Sequence, residues 1–233
     1  MNLAARVDLK GATARLIIPQ PLRLLENVPL SDPGVQDYLK FGSAVLAGSV
    51  NPEGRLFVEI DSLDLPLAAE EKNKAVGTGK FRIDKFQTEL SGPLAAFLAS
   101  LGTPRQSPVQ TFGPVLVQLA GGILRISEHK LLLSDDSTLL FHGNIGLDRS
   151  LEFEMDLPIT DKMLARFGAN ASAVQYLANQ KIAVPMTGTI DKPHLDDKVV
   201  AKRVGEMAAE ALKRRVVEEL GNMLKGGLKP KKK

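Results

Sequence analysis

Cysteine and tryptophan are absent from the 233 residues, and tyrosine occurs only as Tyr38 and Tyr176. Without cysteine there is no disulfide framework, no thiolate nucleophile and no cysteine-ligated zinc, a condition compatible with cytoplasm and periplasm alike. Aromatic residues make up 5% of the chain, which argues against base stacking as its main activity. No apolar run approaches the ~20 residues that span a bilayer. The N-terminal stretch "MNLAARVDLKGATARLIIPQ" places Asp8 and Lys10 where a signal peptide needs an unbroken apolar core.

What is present is ordinary globular material, 44% hydrophobic and 24% charged, enough for one large domain or two small ones. The net charge of +3 hides an asymmetry. From Lys198 onward eleven Lys or Arg face four Glu, a balance of +7, so the remainder carries 3 − 7 = −4. A mildly acidic body with a basic end marks either an interaction tail or a solvated helix face.

The dominant pattern has period two. "LEFEMDL" puts Leu151, Phe153, Met155 and Leu157 on one side and Glu152, Glu154 and Asp156 on the other, which predicts a strand with one apolar and one wet face. "RLFVEIDSL" repeats this with Leu56, Val58 and Ile60, and shorter alternations include Phe81 with Ile83 and Leu124 with Ile126. Turn signals at Asn51-Pro52-Glu53-Gly54 and Ser134-Asp135-Asp136-Ser137 predict separate, consecutively paired strands. A weak internal repeat relates Gly48 to Asp61 with Gly143 to Asp156, each copy reading as strand, turn and strand.

Helices are fewer. "SDPGVQDYLKFGSAVLAG" opens on a capping Ser31 or Asp32 and an early Pro33. "GPLAAFLASLG" is short, and "TDKMLARFGANASAVQYLANQ" starts at Thr160. A long amphipathic helix is predicted from about Asp196 to Leu224, with Val200, Val204, Ala211, Val216 and Leu220 among its periodic apolar residues. The segment "VPMTGTIDKPHLDD" reads as a strand-to-helix corner, where Pro193, lacking an N–H, ends the sheet. The expected fold is therefore α+β: an antiparallel, strongly curved sheet of meandering hairpins with several short helices and a long C-terminal amphipathic helix. Residues 1–103 form a β-rich module with helices, 104–114 a linker candidate, 115–225 a second β module plus the long helix, and 226–233 a basic disordered tail.

No catalytic constellation appears. His194 with Asp196 and Asp197 reads as the polar surroundings of a helix start rather than a metal cluster. "GTGKF" after Val76 fails as a phosphate loop, because Lys74 stands where the first glycine belongs and Phe81 where Ser or Thr would bind magnesium. Ser127 and Lys130 match a Ser-x-x-Lys spacing in a strand turn, not at a helix start. Glu59 with Asp61, and Glu152 with Glu154, are alternate residues on a polar sheet face. The reading is a non-enzyme with no metal and no cofactor.

"VPMTGTIDKP", Val184 to Pro193, resembles the "v-p-v-x-G-T-l-x-x-P" signature near the C-terminus of AsmA-like bacterial envelope proteins, the group of AsmA, TamB and YdbH relatives. The corner residues Val184, Pro185, Gly188, Thr189 and Pro193 carry the motif. The upstream pair "LLFHGNIGLDRSLEFEMDLPIT" and the long helix that follows resemble the same family, over roughly Asp37 to Leu224. The resemblance implies a β-groove in the periplasm, attached to the inner membrane through an upstream anchor in the remainder of a longer chain, and a role in intermembrane lipid transport or outer-membrane assembly. A complete chain would instead be expected in the cytoplasm.

A strand series with one persistently apolar face must cover it with helices, another sheet or acyl chains. The lining expected for phospholipid acyl chains is Val58, Ile60, Phe81, Ile83, Leu124, Ile126, Leu151, Phe153 and Met155; the alternative is that helices bury these residues as core. The competing function is a structural or protein-interaction module, a terminal cap, whose basic C-terminal helix docks a partner or an anionic membrane surface. Nucleic acid is not an expected partner, since the basic residues are confined to one end without a recognition motif.

Overall fold

The computed structural model describes residues 5–9, 11, 13–35, 49–100, 106–134, 137–160, 165, 177 and 180–227. Among them, eleven strands form one sheet: β1 (Arg6–Asp8), β2 (Arg15–Ile18), β3 (Leu22–Pro29), β4 (Ser49–Pro66), β5 (Val76–Leu90), β6 (Gln110–Ala120), β7 (Ile123–Ser134), β8 (Ser137–Gly146), β9 (Ser150–Pro158), β10 (Lys181–Thr189) and β11 (Lys192–Leu195). Helix α1 (Gly92–Ser100) follows β5, and α2 (Asp197–Gly227) follows β11. The strand order is β1-β2-β4-β5-β6-β7-β8-β9-β10-β11, with β3 also paired to β4. Apart from β2 and β3, which both pair with β4, neighbours in the chain are neighbours in the sheet, as the run of short alternating segments predicts. The chain divides into two compact units, residues 1–157 with 183–196, and residues 158–182 with 197–233.

In the first unit, β4 and β5 run to 18 and 15 residues, far beyond the usual strand. Each keeps its apolar residues on one face by stepping its phase at a bulge. In β5 the inward residues are Phe81 and Ile83, then, past Lys85 at φ 53°, Phe86, Thr88 and Leu90. In β4 they are Leu56, Val58 and Ile60, then, across a register shift at Asp61, Leu63 and Leu65. β6 steps from Phe112 to Val115 at Gly113-Pro114, and β7 steps from Ile126 to His129.

The ladder between β6 and β7 covers only Val117 to Ala120 against Ile123 to Ile126. Beyond it, side chains replace backbone bonds. The Gln110 amide donates to the Leu132 carbonyl and accepts from the Leu132 N–H, each at 2.9 Å. The Ser127 hydroxyl accepts the Leu116 N–H at 3.0 Å. Phe112 and His129 lie side by side at this opening, 5.2 Å between ring centres. Around them Phe86, Phe141, Ile83, Leu131, Leu133, Leu139 and Met155 are fully buried, and Phe97 and Leu98 of α1 belong to the same unit's buried set.

Several expectations are corrected. Asn51 to Gly54 is no turn: it is a bulged stretch inside β4, with Asn51 at φ 46° and Gly54 at φ 138°. The supposed repeat therefore pairs one continuous strand with the genuine β8–β9 hairpin, so no hairpin unit is shared. The linker candidate 104–114 runs into β6, and Ser107 is woven to Thr88 through two hydrogen bonds of 2.9 and 3.1 Å. Pro193 does not end the sheet. Thr189 turns through Ile190-Asp191 into β11, and Pro193 pairs with Gly188 on an edge strand, where a missing N–H is tolerated. Gly188 sits at φ 100°, and a Cβ there would lie 2.6 Å from the Lys192 carbonyl oxygen. Arg149 holds this hairpin to the β8–β9 turn through a 2.7 Å ion pair with Asp191.

In the second unit, α2 buries Val200, Val204 and Ala211 along one stripe. It starts at Asp197, where a carboxylate favours a helix N-terminus, and extends three residues past the predicted end. No helix among the described residues is long and apolar enough to cross a membrane. Of the two other predicted helices, Pro33–Val35 and the isolated residues Ala165 and Leu177 are helical; the rest lies outside the described residues.

Gly143 lies hard against the backbone of the neighbouring strand. It pairs with Ile126 and Phe153, and a Cβ would collide with the Glu152 carbonyl and the Phe153 backbone. Gly143→Ala must push β8 and β9 apart, and the expected loss is about 3 kcal/mol, read as a lower urea midpoint.

Candidate functional site

Register alignment assembles one apolar face. Ile60, Gly79, Val117, Ile126, Gly143 and Phe153 form a row across β4 to β9, and Leu63, Gly77, Leu119, Leu124, Ile145 and Leu151 form the next. The face is unevenly covered. Ile126, Ile145, Leu151 and Phe153 are at most 3% exposed, whereas Ile60, Leu63, Val117, Leu119 and Leu124 are half-buried. Between these half-buried residues lies an open depression of about 200 Å³, lined by Val58, Ile60, Leu63, Gly77, Gly79, Phe81, Val117, Leu119 and Leu124 together with Glu59, Ser62, Thr78 and Lys80.

The glycines shape its floor. Gly79 and Gly77 stand opposite Ile60 and Leu63, and a Cβ on Gly79 would come within 2.7 Å of the Glu59 carbonyl oxygen. They let β4 lie close on β5 while leaving room between the flanking aliphatic side chains. The result is a short, mainly apolar trough.

Of the nine predicted lining residues, Val58, Ile60, Phe81 and Leu124 meet in this depression. Ile83, Ile126, Leu151, Phe153 and Met155 lie on the same face but are buried as core. Leu63, Gly77, Gly79, Val117 and Leu119 escaped the sequence reading. The alternation Val115, Val117, Leu119 was available to find two of them, whereas Gly77-Thr78-Gly79 suggests a phosphate loop before it suggests the floor of a trough. Of the motif corner, Val184 is buried, Pro185 and Pro193 are half-buried, and Gly188 and Thr189 are exposed on the hairpin.

The opposite face of the same strands is polar. Lys80 bridges Glu59 at 2.8 Å and Asp61 at 3.6 Å, and Arg82 pairs with Asp84 at 2.9 Å while stacking over Phe57 at 4.4 Å. The hydrogen bond from Lys80 holds the Glu59 carboxyl below its ordinary range. These pairs are solvated and contribute little stability. A larger concavity of about 500 Å³ lies among Arg23, Glu26, Phe57, Glu59, Lys80 and Arg82. Each of its three cations already has a carboxylate partner, with Arg23 on Glu26 at 3.0 Å, so it offers no surplus charge to a ligand. The apolar depression is the candidate site.

No protein-family model, no curated protein and no solved structure matches this chain.

His129 closes the buried end of the apolar face. It is 4% exposed, and its ring lies between Phe112 and Phe141, at 5.2 and 5.7 Å. Its Nδ1 is 3.0 Å from the Ser127 carbonyl oxygen, which fixes the proton on Nδ1. Burial pushes its pKa below the ordinary 6.5, only partly opposed by that carbonyl. The folded state therefore binds this proton less readily than the unfolded chain. Stability falls as pH drops through about 6.5 and levels off below the folded pKa. His129→Phe is expected to weaken the fold by about 1 kcal/mol near neutrality, through the lost hydrogen bond, and to flatten the acid-side loss. Urea midpoints of both proteins at about pH 7.5 and about pH 5.5 check the sign.

Proposed function

We propose that this chain is a non-enzymatic β-groove domain of an AsmA-like envelope protein, which holds phospholipid acyl chains during intermembrane lipid transport or outer-membrane assembly. On this reading the sheet curves around the depression, α2 is amphipathic, and the domain works in the periplasm behind an upstream inner-membrane anchor. One observation supports it above the others. The apolar face is buried at Ile126 of β7 and over β8 and β9, yet open at Ile60, Leu63, Val117, Leu119 and Leu124, with alternate glycines at the centre of the opening. Each methylene that leaves water for such a surface gains about 0.8 kcal/mol, without any polar anchor.

A second reading, a structural or protein-interaction module, draws on the burial of Ile83, Ile126, Leu151, Phe153 and Met155. Those five side chains act as ordinary core.

The deciding experiment is organic extraction and mass spectrometry of protein purified without detergent, with an unrelated protein prepared identically. Stoichiometric phospholipid is expected. Val117→Trp, which fills the depression from a half-buried position, is expected to lower occupancy at least about tenfold while circular dichroism stays unchanged. A lipid-free protein, still empty after incubation with liposomes, rejects the acyl-chain reading in favour of the structural module.

A further inference from the structure

Helix α2 changes character at Lys213. From Asp197 to Leu212 it carries three Lys or Arg and three Asp or Glu, and it buries Val200, Val204 and Ala211. From Lys213 to Lys233 the sequence has eight Lys or Arg against two Glu, a balance of +6. In that same stretch Val216 and Val217 are 55% and 68% exposed, flanked by exposed Lys213 and Arg214. Leu220, Met223 and Leu224 continue the apolar spacing in sequence.

Exposed β-branched residues cost helix propensity and contact with water, and here they coincide with the whole basic excess of the chain. We propose that α2 from Lys213 onward is a docking surface for a membrane leaflet rich in anionic headgroups, with Val216 and Val217 entering the headgroup–acyl boundary and the basic residues held at the phosphates. A second copy of the chain is disfavoured as occupant, since it would bring the same +6 to the same surface. Nucleic acid would take the charge but give the two valines nothing to contact. The proposal is independent of the apolar depression.

Flotation of the full chain tests it, using vesicles of phosphatidylcholine with roughly 30 mol% phosphatidylglycerol against vesicles of phosphatidylcholine alone. Binding to the anionic vesicles is expected to be at least about tenfold stronger, and to disappear between about 0.05 and about 0.5 M NaCl as screening sets in. Val216→Asn with Val217→Asn, and separately Lys213→Glu with Lys225→Glu, are each expected to reduce it at least about fivefold. Circular dichroism verifies the folding of both variants. Val117→Trp is expected to leave flotation intact, which separates this result from any uptake of lipid into the depression. Equal binding to both vesicle types, no binding to either, or binding unaffected by the valine pair overturns the proposal. So does concentration-dependent self-association abolished by the same valine pair in the absence of vesicles.

Discussion

Everything in the sheet depends on keeping one apolar face continuous across strands too long to do so unaided. A pleated strand alternates sides with a period of two, so a single uncorrected slip exchanges the inner and outer residues from that point onward. The chain corrects at Asp61, Lys85, Gly113-Pro114 and between Ile126 and His129. Each step is a register shift of the kind a bulge produces. The steps in β5 to β7 fall close together. They gather Ile83, Phe86, Phe112 and His129 into a well-packed cluster while leaving Gly77, Gly79, Val117 and Leu119 on the other side of the correction.

That division explains how one face serves two purposes. On the side of Phe112, β6 and β7 abandon their backbone ladder, and Gln110 and Ser127 supply the hydrogen bonds instead. The freed width is taken by rings: Phe81, Phe112, His129 and Phe141 follow one another at 5.2 to 6.2 Å. On the side of Val117 the ladder is intact, the side chains are smaller, and two positions of β5 have none. Large rings fill a core; aliphatic residues around glycines leave a trough. The composition of the face thus changes from filled to hollow within a few residues of Phe81, which borders both.

The alternation in "LEFEMDL" and "RLFVEIDSL" was legible because the apolar and charged residues there differ as strongly as side chains can. With the shorter alternations at Phe81 and Ile83 and at Leu124 and Ile126, it grouped nine residues that the strand registers set on one face. It could not separate the four that line the depression from the five buried as core, since coverage is decided by distant parts of the chain. Bulges were illegible for a related reason. Asn51-Pro52-Glu53-Gly54 has the chemistry of a turn, and positive φ values at Asn51 and Gly54 suit a turn or a bulge equally. Which one forms depends on whether β5 lies alongside, as it does from Ser49 to Asp64. The same holds for Pro193. Its missing N–H predicts an end to pairing on one side only, and an edge strand has only one side to pair.

Charge is distributed with the same separation of tasks. Around the depression Lys80 is paired with Glu59 and Asp61, and Arg82 with Asp84, so no surplus positive charge stands there to draw in an anionic headgroup. A ligand held there is held by its apolar part. The chain's unbalanced positive charge is concentrated after Lys213, in the stretch where aliphatic side chains are also left in water. The proposed acyl-chain binding and the proposed membrane docking therefore draw on different parts of the molecule. Salt should act on the second and leave the first nearly untouched, because hydrophobic contact in an apolar trough carries little screened interaction. That difference gives each activity its own experimental signature, so neither can be mistaken for the other when lipid is found with the protein.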